Sequence, residues 1–163
     1  MRESDVYVVG IDPGKAGALV GISRDGKIVE SKPMPEFMHE VYETLREWAP
    51  QMVYLEKAQA MPKQGVSSVF TYGDHFGQLQ GILISLGIPY QLVTPQAWQK
   101  TMFAGTATTL KPKKRALIAA TRLYPHQDWR AHEGCRVAHD GIVDAALLAT
   151  YAWRSHRGAQ AAS

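Results

Sequence analysis

Cysteine is all but missing from this chain of 163 residues: Cys135 stands alone. No intrachain disulfide can form, so a buried core must carry the fold, and a reducing cytoplasm is the expected setting. The first residues, MRESDVYVVGID, lack the basic and long apolar segments of a signal peptide. No apolar run approaches the ~18 residues of a membrane-spanning helix, so no membrane partner is expected. Internal repeats are missing too. With 45% hydrophobic and 20% charged residues, neither a disordered nor a fibrous chain is indicated. One domain over 1–157 is expected, with 158–163 a disordered tail.

What is present includes a formal net charge of +3. That excess mildly favours a polyanionic partner, because Lys and Arg can displace the counterions condensed on phosphates.

Apolar, β-branched segments at 6–11, 16–23 and 27–33 are separated by the turn signals DPGK and RDG, which predicts three strands joined by short hairpins. Pro35 to Trp48 places Phe37, Met38, Val41, Leu45 and Trp48 on one face of a helix. A buried strand, MVYLE, follows. KAQAMPKQGV is a polar, basic loop, and Ser67 offers a cap for a long helix to about Leu86. IPYQLV reads as a further strand and TPQAWQKTMF as a helix opening on Thr-Pro. AGTATTLK reads as a mobile loop, followed by helices from about Pro112 to Leu123 and from His139 to Ser155. This order predicts an α/β fold with a mixed sheet and helices on its faces.

Four acids stand out. Asp12 directly follows the first strand and Glu56 ends the strand MVYLE, where the sheet can fix each backbone. Asp140 and Asp144 lie one helical turn apart on a face shared with Leu147 and Tyr151. Like charges so placed repel, and a carboxylate on a core-facing stripe needs a cation or a donor. The dipole at a helix start can explain Asp140 but less readily Asp144. Carboxylates at strand ends and a helix start suit Mg²⁺, because hard cations choose oxygen ligands and bridge phosphates. Two ions ~4 Å apart could activate water and stabilise a leaving oxygen.

Basic groups flank these acids. Lys57, Gln59, Met61, Lys63 and Gln64 follow Glu56 in the polar loop. Lys111, Lys113, Lys114 and Arg115 crowd a helix N-terminus, opposing its dipole, which favours a phosphate partner; Lys100 lies upstream. Gly73, Gly77 and Gly81 recur every four residues in the long helix, each costing about 1 kcal/mol relative to Ala. Close packing must offset that cost, either against the chain's own sheet or a neighbouring helix, or across a dimer interface.

GIDPG (10–14), YLEKAQAMPKQGVSSVFTYG (54–73), PYQLVTPQAWQK (89–100) and HDGIVDAALLATYAWR (139–154) together resemble the RuvC-type Holliday-junction resolvases, notably phage and bacterial members. The resemblance covers nearly the whole chain. It implies a ribonuclease H-like fold with a mixed five-stranded sheet, three antiparallel hairpin strands followed by two parallel ones. It also implies a homodimer that nicks opposed strands of branched, four-way DNA in Mg²⁺ or Mn²⁺, in a bacterial cell or encoded by a phage.

By motif, the resemblance makes Asp12, Glu56 and Asp144 metal ligands. Known members separate the last acidic pair by three positions, whereas here that position is Gly141 and the acid is Asp140. Some members use a histidine in this helix, so His139 competes with Asp140 as fourth ligand; carboxylate suits Mg²⁺ better. The resemblance further makes Met61 a wedge at the junction core, puts Lys100 and either Lys113 or Lys114 near the scissile phosphate, and favours dimerisation through the glycine-bearing helix.

Other readings are weaker. His132, Cys135 and His139 have ligand-like spacing but lack a fourth zinc ligand. GIDPGKAGALVG lacks the Gly-Lys-Ser/Thr ending of a P-loop, and the chain is too short for a two-lobed kinase-like domain. Cutting of RNA–DNA hybrids, flaps or forks would use the same metal chemistry. A catalytically inactive junction-binding protein is the rival from another class, although DNA binding alone would favour removing the acids.

Overall fold

The computed structural model describes residues 5–57 and 65–161. The elements run β1 Val8–Asp12, β2 Ala18–Ile22, β3 Ile28–Pro33, α1 Met38–Trp48, β4 Met52–Glu56, α2 Val66–Ser85, β5 Tyr90–Val93, α3 Pro95–Met102, α4 Pro112–Leu123 and α5 Asp140–Ala161. The sheet has strand order β3-β2-β1-β4-β5. β1 pairs antiparallel with β2, as β2 does with β3, while β4 runs parallel to both β1 and β5. This is the expected sheet of three hairpin strands followed by two parallel ones.

Both faces of the sheet are covered, which is why β1, β2 and β4 read as nearly continuous apolar runs. On one face Val9, Ile11, Leu19, Val53 and Leu55 pack with Val41, Leu45 and Trp48 of α1 and Leu79 and Leu83 of α2. On the other, Ala18, Val20 and Tyr54 meet Trp98 of α3, Ala116 and Ala120 of α4, and the apolar run of α5.

Helix α5 is buried along much of its length, and its alanines let it lie close to the strands. The tightest approach is at Gly10, where an added Cβ would sit 2.3 Å from the Ala145 carbonyl oxygen and 2.5 Å from the Ala149 nitrogen. At the start of the helix, a Cβ on Gly141 would fall 2.3 Å from the Ala16 carbonyl oxygen. Two glycines thus clamp α5 to β1 and to the β1–β2 turn.

Several boundaries differ from the sequence expectation. Helix α1 starts at Met38, not Pro35, because Phe37 stays extended and its N–H donates to the Glu40 carboxylate at 3.2 Å. Gly65, not Ser67, occupies the cap position of α2. Helix α5 runs to Ala161, so 158–161 of the expected disordered tail are helical. Only Gly158 interrupts a run of helix-favouring residues there. The polar stretch after α3, expected to be mobile, is braced by arginines of α4: Arg115 Nε donates to Thr106 Oγ1 at 2.9 Å and Arg122 reaches the Gly105 carbonyl oxygen at 3.4 Å. Among the described residues no helix is long and apolar enough to cross a membrane.

Candidate metal centre

Strand alternation decides which acids meet. In β1, Val9 and Ile11 face α1 and α2, which turns Gly10 and Asp12 toward α5. In β4, Val53 and Leu55 face α1 and α2 while Tyr54 faces α5, which puts Glu56 on the α5 side as well. The parallel register pairs Ile11 with Leu55, so one step on Asp12 lies beside Glu56, about one strand spacing (~4.8 Å) away. Helix α5, held close by Gly10 and Gly141, brings Asp144 over the same strand ends. The carboxyl ends of parallel strands are the usual place for a site in such sheets.

All three acids are half-buried, and their electrostatics reflect it. Burial holds the Asp12 carboxyl well above the ordinary aspartate range, and the charges of Glu56, Asp144 and Asp140 add to the effect. The Asp144 carboxyl is pushed up to about 7 by burial and then by Glu56 and Asp140, with Lys113 opposing. Burial also raises Glu56, against a hydrogen bond from Trp98 that favours its charged form. That bond runs from Trp98 Nε1 to Glu56 Oε2 at 2.7 Å, and the indole is fully buried.

Asp140 and His139 are placed differently from Asp144. Asp140 is exposed, and its carboxylate accepts from Lys113 Nζ at 2.6 Å. It therefore does not continue the buried stripe of α5; the core-facing side of the helix takes over one turn later, at Asp144. His139 caps the helix: its Nδ1 accepts from the Ile142 N–H at 3.2 Å and its carbonyl from Val143 at 3.1 Å. Only Nε2 of that ring is left for any other partner.

Among the described residues no three His, Cys, Asp or Glu side chains close into a ready-made metal cage. The donor set nevertheless fits a hard divalent cation. Three partly buried carboxylates raise one another's proton affinity, with one indole N–H and one exposed lysine to offset them, and cation coordination relieves such a cost. His132 and Cys135 touch, Sγ to Nε2 at 3.2 Å, while His139 is engaged at the start of α5, so the three do not assemble as a zinc site.

The basic residues are distributed unevenly. Lys57, exposed, directly follows Glu56, and its backbone N–H is tied to Val93 at 2.7 Å. Lys111, Lys113 and Lys114 are exposed at the start of α4, and Lys113 alone of the three forms an ion pair among the described residues. Lys100 is exposed near the end of α3. Gln59, Met61, Lys63 and Gln64 lie outside the described residues.

Gly73, Gly77 and Gly81 have open space where a Cβ would stand. The close contact with the chain's own sheet that their spacing allowed is therefore not made. They lie on an exposed stripe with Val66 (87% exposed), Phe70 (76%) and Ile84 (67%).

Two residues escaped the sequence reading. Trp98 lies in the QAWQK segment that drew attention only to Lys100; a lone tryptophan there gives no sign of a long-range bond to Glu56. Tyr72 adjoins Gly73 but is turned about 100° round α2 from it and is half-buried. Its ring is 3.1 Å from where a Gly14 Cβ would be, and burial with the Asp12 and Glu56 charges pushes its hydroxyl up to about 12. Tyr72 thus closes the α2 side of the carboxylate cluster.

No protein-family model and no curated protein sequence matches the chain. Solved structures do. Thermus thermophilus RuvC, in complex with a Holliday junction substrate, is similar at TM-score 0.64 and 20% identity, over 93% of this chain and 95% of that one. The yeast mitochondrial Holliday junction resolvase Ydc2 follows at 0.62 and 14%, over 96% and 82%. The fowlpox virus resolvase, in complex with substrate Holliday junction DNA, gives 0.57 and 15%, over 91% and 97%. The fold is that of the RuvC-like, ribonuclease H-like resolvases.

Proposed function

We propose that this protein is a structure-selective DNA endonuclease that resolves four-way junctions by paired, symmetric nicks, as a homodimer. The carrying observation is the convergence of Asp12, Glu56 and Asp144 from two parallel strand ends and one helix, on a fold shared with proteins solved on Holliday junction DNA.

Asp12, Glu56 and Asp144 would hold two Mg²⁺ ions, replaceable by Mn²⁺, with Asp140 or His139 completing the set; such ions would supply Lewis-acid activation of water and neutralisation of charge on the departing oxygen. The residues themselves do the positioning. Trp98 fixes one oxygen of Glu56 and leaves the other to a ligand. Lys113, exposed and paired with Asp140, can exchange that carboxylate for a DNA phosphate. Lys57, Lys100, Lys111 and Lys114 neutralise backbone charge, and Gln59, Met61, Lys63 and Gln64 contact the junction core, with Met61 its wedge.

The exposed stripe of α2 supports the dimer. An apolar row with bare glycines at its centre lets two helices approach closely. Opposed nicks in a nearly twofold junction need two such sites.

Labelled four-way junction, fork, duplex and RNA–DNA hybrid incubated with Mg²⁺, Mn²⁺ or EDTA test the reading. Paired nicks confined to the junction, lost in EDTA, are expected. Glu56→Gln and Asp144→Asn should bind the junction and not cut it. Cleavage of the hybrid or of forks alone would replace this function with another nuclease activity, and metal-independent binding without any cleavage would leave a junction-binding protein.

A further inference from the structure

Beside the carboxylate centre, α3, the following loop and α4 enclose a groove of about 460 Å³. Its floor is Phe103, buried, with its ring edge-on to Trp98 at 5.6 Å between centroids. The groove is therefore one aromatic ring removed from the indole that holds Glu56. Gln99, Lys100, Thr106, Thr108 and Arg115 line it, and none of its lining residues is acidic.

Arg115 is the fixed cation of this groove. Its guanidinium lies 4.9 Å from the centre of the Phe103 ring, and its Nε donates to Thr106 Oγ1 at 2.9 Å. Thr106 in turn donates to the Phe103 carbonyl at 2.7 Å, so the loop and the arginine brace each other. Among the described residues neither Arg115 nor Lys100 forms an ion pair. Among the described residues the guanidinium's one hydrogen bond runs from Nε, which leaves both terminal nitrogens for a ligand. A stacked, pre-oriented guanidinium without a carboxylate, beside a lysine, a glutamine and a threonine, has the composition of an oxyanion site. A cavity of about 840 Å³ elsewhere in the fold differs: it mixes Asp5 and Asp25 with Arg24 and Lys27, and Lys27 pairs with Asp25.

We propose that this groove is a second phosphate-binding site, beside the carboxylate centre, where Arg115 with Gln99 grips a DNA backbone phosphate other than the scissile one. The proposal rests on the nuclease reading above and adds to it a built contact that anchors a junction arm while the acids act on another phosphate. Stacking on Phe103 holds the guanidinium in place before DNA arrives, so little side-chain entropy is lost on binding.

The test uses the full chain and a four-way junction in EDTA, with affinity measured across a salt series. Arg115→Gln should weaken binding about tenfold at low salt and flatten the plot of log affinity against log salt by about one ion. Arg115→Lys should keep that slope while losing part of the affinity, because the charge remains and the fork does not. Neutralising junction phosphates singly as methylphosphonates should find one whose loss weakens the wild type but not Arg115→Gln. Unchanged affinity and slope in Arg115→Gln overturns the groove, as does an equal loss of slope in Arg115→Lys, which would mean that the arginine only supports the loop. A wild type that fails to bind junctions at all overturns the nuclease reading together with the groove.

Discussion

Replacing Asp144 by Asn should make the metal-free protein more stable while destroying its catalysis. The Asp144 carboxyl titrates at about 7 in the folded chain, against 3.8 for an ordinary aspartate. Its proton is thus bound more tightly folded than unfolded. Between about pH 4 and 7 unfolding releases that proton, so rising pH favours the unfolded chain, and above about 7 the full penalty is in place. At 1.36 kcal/mol per decade the ceiling is about 4 kcal/mol. Asn also forgoes the attraction to Lys113, and water still reaches the half-buried group, so about 2 kcal/mol is the expected gain at pH 8.5. Relief of Asp12, which Asp144 also pushes upward, acts in the same direction. Urea denaturation in EDTA at pH 4 and pH 8.5 measures this. The two proteins should differ little at pH 4 and separate at pH 8.5, and added Mg²⁺ should then stabilise the wild type more than the variant. An Asn variant no more stable than the wild type at pH 8.5 in EDTA would refute the account of these carboxylates as a repulsive, desolvated cluster.

Gly10→Ala should cost about 1–3 kcal/mol, since its Cβ meets backbone atoms of α5 at 2.3 and 2.5 Å; calorimetry should show a melting temperature lower by roughly 2–10 °C, and an unchanged one would contradict the close approach. Trp98→Phe removes the donor to Glu56, a charge-assisted bond worth about 1.5–3 kcal/mol. Mn²⁺ affinity by titration calorimetry should fall about tenfold or more, with a matching loss of cleavage at limiting metal; full metal affinity would make the bond incidental. Gly77→Glu should leave helix content intact, because the site is open in the protomer, yet yield monomers by sedimentation velocity; a persisting dimer would move the interface off this stripe.

The mixed sheet was legible from the sequence because its turns are chemically marked. DPGK and RDG close the two hairpins, and the helical spacing from Phe37 to Trp48 separates β3 from β4. Asp12 and Glu56 were legible for the same reason, since both follow apolar strand segments whose ends are defined. The helix ends were less so. Whether Met38 or Pro35 opens α1 depends on one side chain, Glu40, reaching back to a backbone N–H, and such a choice leaves little trace in periodicity.

Tertiary structure gave a physical reason for the difference between Asp144 and Asp140 that the motif had indicated. Among the described residues Asp144 is half-buried beside Glu56, while Asp140 is exposed and paired with Lys113. It also set Trp98 against Glu56 across 42 positions of sequence, turned Tyr72 toward the acids and Gly73 away from the core, and stacked Arg115 on Phe103 above an acid-free groove. Local spacing determines which residues share a face of their own strand or helix. Which neighbour that face meets depends on how the layers close, and the burial that shifts a carboxylate or fixes a guanidinium exists only once they have.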